Sequence, residues 1–195
     1  MSSPREIYLE MWEPVKRAGK ADFLEWLDRT DFYSAPCSTK HHLAEKEGLV
    51  VHSIHVAKGT QSFCKLYKNI VQIPEESQLI VSLTHDVCKA NFYKESTRNV
   101  QGEDGKWNKV PFYVVEDKCP YGHGEKSAML VSSFMKLTME EQMAIRWHMG
   151  GFTSGIQDYQ LSGALSKAFA EYPLAFILHM ADMHATYMME RKPSI

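Results

Sequence analysis

The sequence predicts an all-α domain carrying one small β-hairpin, and three observations support that prediction. Most segments of the 195-residue chain repeat their apolar side chains at helical spacing. Capping signals stand in front of them, the clearest being Thr138 with Glu141 three residues later. Strand-like alternation takes over only near residues 92–117, on both sides of an Asp104-Gly105 turn signal.

The elements follow in order. Ser2 or Ser3 can cap a first helix that starts at Pro4 and runs toward Gly19, with Pro14 as an interruption. A second helix places Phe23, Leu24, Trp26 and Leu27 on one apolar face and closes before Pro36. After a polar loop, residues 48–67 put Leu49, His52, Val56 and Phe63 near one face. Glu75, Glu76 and Ser77 open a buried helix whose apolar run continues through His85. Beyond the hairpin come a helix from His123, another after Thr138 that stops at Gly150-Gly151, and a long C-terminal helical stretch broken at Pro173. No repeat or linker divides the chain. Residues 1–195 read as one unit, with helices in 1–36 packing on a core of 37–190.

Composition narrows the function classes. The net charge of −2 comes with dispersed Lys and Arg and no basic stripe, which argues against a large nucleic-acid footprint. The four cysteines, Cys37, Cys64, Cys88 and Cys119, form no C-x-x-C pair, so reduced thiols and a cytoplasmic location are expected. Neither a signal peptide nor a membrane-spanning run is visible.

The nine histidines carry the functional signal. His52 is embedded among Leu49, Val50, Val51 and Ile54, and Asp182 sits within the apolar run "FILHMADMHATY". A buried imidazole or carboxylate without a partner costs free energy, and a divalent cation shared with the adjacent His85 and Asp86 removes both difficulties. His52, His85, Asp86 and Asp182 are therefore the candidate metal ligands.

The segments "GLVVHSIHVA", "LTHDVCK" and "HMADMHAT" resemble the first-His, HD-x-x-K and final-Asp elements of the HD superfamily of metal-dependent phosphohydrolases. The similarity runs from about Asp31 to Met189. The loop "APCSTKHHLAEKEGLVVHS" is similar to one in small stand-alone bacterial and phage HD proteins, and in certain 3′→5′ exoribonucleases. Glu47 departs from that pattern, which often has Gly before Gly48.

The resemblance implies an HD helical bundle using one or two divalent transition ions, among Mn, Fe, Co, Ni and Zn, with Mg less suited to nitrogen ligands. It implies hydrolysis of a phosphoester or phosphoanhydride of a nucleotide, a deoxynucleoside mono- or triphosphate being favoured, by a metal-activated water. The alternatives are a 3′→5′ exonuclease on short single strands and a non-catalytic nucleotide-binding regulator. His123 and His148 either hold a second ion or hydrogen-bond the substrate phosphate. Asp86, Lys89, His123 and His148 are the expected catalytic groups. His42, Lys89, Lys94, Arg146 and Trp147 are the candidate substrate contacts, although core packing explains Trp147 as well. His55 and His179 are expected as polar partners in the helix core, with His184 facing away. A homodimer is expected by analogy alone.

Overall fold

The computed structural model describes residues 2–40, 43–102, 105–153 and 156–191. Among them it forms eight α-helices and one two-stranded antiparallel sheet. Helix α1 (Pro4–Met11) starts at a capping box, where the Ser3 hydroxyl accepts from the Glu6 N–H and the Glu6 carboxylate accepts from the Ser3 N–H. It ends well short of Gly19, because Pro14 lacks the N–H and the room a further turn requires. Helix α2 (Lys20–Asp28) follows, burying Phe23 and Leu27.

The central helices are α3 (Gly48–Leu66) and α4 (Glu75–Thr84). A single 3-10 turn, Val87–Lys89, leads from α4 into the hairpin of β1 (Tyr93–Gln101) and β2 (Trp107–Val115). Its register runs from Tyr93 opposite Val115 to Gln101 opposite Trp107. The hairpin lies within the predicted 92–117. Gly105 adopts φ 76°, the left-handed backbone its turn needs, while Asp104 lies outside the described residues.

Four helices complete the chain: α5 (His123–Ser132), α6 (Met139–Trp147), α7 (Tyr159–Glu171) and α8 (Pro173–His184). The Thr138–Glu141 capping box forms as expected, and Pro173 separates α7 from α8. A five-residue π turn, Ala185–Met189, extends α8. Among the described residues no helix is long and apolar enough to cross a membrane.

Packing brings the functional segments together. Helix α3 lies against α4 and α8, and α6 lies against α8, α5 and α4. A Cβ at Gly59 would stand 3.3 Å from the Ala181 Cβ, so α3 and α8 touch nearly backbone to backbone beside Asp182. The N-terminal helices close one end of the core with the fully buried Tyr8, Trp12, Phe23 and Phe32. The Tyr8 hydroxyl donates to the Leu83 carbonyl at 3.0 Å, fixing the end of α4.

The other ends of α4 and α6 are braced by a charged cluster. Arg17 donates to Glu141 through both Nη1 (3.0 Å) and Nη2 (2.9 Å), and its Nη2 also reaches Glu76 at 3.1 Å. The fully buried Glu141 carboxylate accepts in addition from the Ser77 hydroxyl at 2.8 Å and the Thr138 N–H at 2.7 Å. Burial opposes its ionisation, yet these donors hold its pKa below the ordinary 4.5. The unfolded chain thus takes up a proton first as pH falls. The stabilisation from Glu141 is present above pH 4.5 and is lost as pH drops toward the folded value. Glu141→Gln should cost about 2 kcal/mol at pH 7, because Arg17 loses its buried carboxylate and keeps only Glu76. Chemical denaturation between pH 6 and 3, roughly spanning that transition, should show the variant losing less stability with acid than the wild type.

Glu47, just before α3, adopts φ 65°, a left-handed conformation that glycine reaches without strain. Glu47→Gly should therefore raise stability by about 1 kcal/mol in denaturant titrations.

Candidate metal centre

Each candidate ligand is delivered by a helix or by a helix end. His52 comes from the second turn of α3 and Asp182 from the last part of α8. The sequence predicted that the α4 helix continues through His85; instead it ends at Thr84, and His85 and Asp86 occupy the turn that follows. Adjacent side chains diverge on a continuing helix. Asp86, at φ −108° and ψ 13°, has left helical geometry, so both its carboxylate and the His85 ring face one centre. His123 is the first residue of α5, and His148 caps the C-terminus of α6.

Asp86 occupies the middle. Its Oδ2 accepts from Lys89 Nζ at 2.6 Å and lies 3.6 Å from His85 Nε2 and 3.8 Å from His52 Nε2. Its Oδ1 accepts from His123 Nε2 at 2.6 Å and lies 3.5 Å from His148 Nε2. On the Oδ2 side, Asp182 Oδ1 is 3.2 Å from His52 Nε2. Donor atoms of His52, His85 and Asp182 lie within 4.8 Å of one another, and so do those of His85, Asp86 and His148. One carboxylate thus stands between two groups of nitrogen and oxygen donors.

The outer nitrogens are held as well. His85 Nδ1 is 2.8 Å from the Ser82 carbonyl, and His148 Nδ1 is 2.7 Å from the Ile145 carbonyl. A carbonyl can only accept, so Nδ1 carries the proton in both rings and each Nε2 keeps a lone pair. Both Nε2 atoms are buried and have no hydrogen-bond partner. Burial pushes the His85 pKa down to about 3, so its ring stays neutral. Two inward-facing, unpartnered imidazole lone pairs in a cluster of buried carboxylates make a donor set suited to a cation.

His52 differs. Its Nδ1 is 3.0 Å from Glu190 Oε1 while its Nε2 faces Asp182, and both partners accept only. Burial opposes the charged ring, but the Cys37, Asp182 and Glu190 side chains raise its pKa well above the ordinary value. A metal ion at Nε2 would take the place of that proton. Asp86 and Asp182 are both held below the usual carboxylate range: burial works against this, and it is outweighed by Lys89 and His123 at Asp86 and by His52 at Asp182.

Glu190 was absent from the sequence-derived set. It also takes His55 Nδ1 at 2.9 Å, and its side chain is fully buried. Eight positions at about 100° each would leave it roughly 80° off the face of Asp182. The wider π turn at Ala185–Met189 rotates less per residue and cancels most of that offset.

The remaining candidates divide. Lys89 lines a cavity of about 630 Å³ together with His52, Asp86, Asp182 and Glu190, walled by Met149, Phe152, Met183 and Tyr187. Three proposed substrate contacts are not brought there. Lys94 pairs with Glu116 on the outer hairpin at 3.4 Å. Arg146 pairs with Glu125 and lies 4.0 Å over the Trp147 ring, which is itself buried. Neither lines the cavity, because the inward face at the end of α6 belongs to His148. His42 lies outside the described residues. His179 donates to the His148 carbonyl at 2.7 Å, the core role expected of it, and His184 is exposed.

Comparisons of the chain with protein-family models, with curated proteins and with solved structures find no match. Function is therefore read from the centre itself. Glu190→Ala should lower the affinity of the His52 side for a divalent ion by about 10- to 100-fold, while leaving the protein folded. Competition with a chromophoric chelator measures the change.

Proposed function

We propose that this chain is a metal-dependent phosphohydrolase of the HD type, acting on a nucleotide-sized phosphate ester or anhydride. The observation that carries this reading is the pair of buried, partnerless Nε2 atoms of His85 and His148 on either side of the Asp86 carboxylate. His52, His85, Asp86 and Asp182 would hold one ion, and Asp86, His123 and His148 a second. Mixed imidazole and carboxylate donors favour Mn, Fe, Co, Ni or Zn over Mg. When bound, the ion supplies Lewis acidity that activates a water and screens the phosphate oxygens.

The chain's own groups supply the rest. Asp86 orients the attacking water through its second lone pairs, and Lys89, already directed at the centre, offers an ammonium to a non-bridging phosphate oxygen. The apolar walls suit a planar ring: Phe152 and Tyr187 are mostly exposed at the cavity and present faces for stacking. A pocket of this size favours a mononucleotide over a long strand.

The deciding experiment is hydrolysis of nucleoside mono- and triphosphates and of labelled oligonucleotides with Mn, Co or Ni. Phosphate release from a nucleotide is expected, and it should disappear in His85→Ala and Asp86→Ala together with metal content. Unchanged turnover in both variants would remove the site. Preferential shortening of oligonucleotides would replace the mononucleotide reading with an exonuclease. Phe152→Ala and Tyr187→Ala should each raise KM by about fivefold, the loss of one stacking contact, with kcat nearly unchanged.

A further inference from the structure

Three of the four imidazoles at the centre have their Nδ1 held by an oxygen: His85 by the Ser82 carbonyl, His148 by the Ile145 carbonyl and His52 by the Glu190 carboxylate. The fourth, His123, has sulfur there. Cys88 Sγ lies 3.2 Å from His123 Nδ1 and 4.0 Å from Nε2, which itself meets Asp86 Oδ1 at 2.6 Å. The ring therefore stands between thiol and carboxylate, with Nε2 toward the centre.

The thiol is fixed in place by the helix that carries the histidine. The Cys88 backbone N–H donates to the buried Ser127 hydroxyl at 3.2 Å, and Ser127 lies one turn after His123 on α5. Helix α5 thus grips Cys88 by its backbone through one residue and by its side chain through the other. Cys88 is buried, and burial pushes its thiol up to about 12, so it stays protonated and inert as a nucleophile.

We propose that Cys88 is the positioning residue of the second ion: its sulfur accepts a hydrogen bond from the Nδ1–H of His123 and thereby keeps the Nε2 lone pair aimed at the ion beside Asp86. The proposal rests on the metal-centre reading above. Carboxylate-facing Nε2 carries the proton when no ion is present, and the ring changes tautomer when the ion arrives. Sulfur is a weak partner able to serve both states, as donor to a bare Nδ1 and as acceptor from a protonated one. The first-ion ligands His52, His85 and Asp182 make no hydrogen bond to this sulfur among the described contacts, so the two ions should respond to it differently.

The test is cobalt titration of the metal-free full-length protein, wild type against Cys88→Ala and Cys88→Ser, followed by calorimetry and visible absorption. Zinc-loaded protein labelled with 15N reports the His123 tautomer by NMR. Wild type should bind two equivalents. Cys88→Ala should bind the first as wild type does and the second about tenfold or more weakly, with His123 losing its single Nδ1–H tautomer. Cys88→Ser should recover most of both, since a hydroxyl can donate and accept in the same place. Equal second-ion affinity in wild type and Cys88→Ala overturns the proposal. A sulfur-to-cobalt charge-transfer band in wild type also overturns it, by making the thiolate a direct ligand. One equivalent in wild type refutes a second-ion role and leaves the first site standing; none refutes the metal-centre reading itself.

Discussion

A single carboxylate, buried where five helices converge, sets the terms for everything around it. Asp86 keeps its charge in a nearly solvent-free position because the Lys89 ammonium and the His123 Nε2–H each donate to it. An ion in the protein interior demands such company, and removing any part of it raises the cost of the remainder. The helix ends around Asp86 follow from this demand. Helix α4 stops one residue before the His-Asp pair so that two neighbouring side chains can face one point, and α5 and α6 each bring a histidine to the same point from a terminus.

Support for the centre comes from much farther away. The Arg17–Glu141 cluster ties together the N-terminal ends of α4 and α6, and the Tyr8 hydroxyl fixes the Leu83 carbonyl near the opposite end of α4. The N-terminal helices therefore act as a brace on the two helices that carry His85 and His148. The close crossing of α3 and α8 at Gly59 and Ala181 does the same for His52 and Asp182. Positions accurate to fractions of an ångström need rigid helices beneath them, and the core supplies these.

Much of this was legible in the sequence because burying polar groups is costly. His52 and Asp182 announced themselves as ionisable side chains inside apolar helices, and the structure sets them 3.2 Å apart. Helical periodicity, the Thr138 capping box and the Pro173 break likewise follow from local chemistry and were readable. What escaped depends on backbone geometry that periodicity does not encode. Glu190 follows the π turn, and no residue pattern marks where a helix will widen. Arg146 looked like a substrate contact because it adjoins His148, yet neighbours on a helix point different ways and it pairs with Glu125; Trp147 takes the core role that its sequence also allowed. Cys88 looked like an ordinary buried thiol, since only the docking of α5 brings a histidine to its sulfur.

The carboxylate of Glu190 is shared by His52 and His55, which sit one turn apart on α3. A tail and a helix separated by well over a hundred positions are thereby latched at one point. Removing that carboxylate takes the acceptor from both imidazoles in a single step, while Asp182 still faces the His52 ring at 3.2 Å. The π turn and the His52 side of the centre are consequently coupled through one carboxylate, so a substitution that reshapes either is felt by the other.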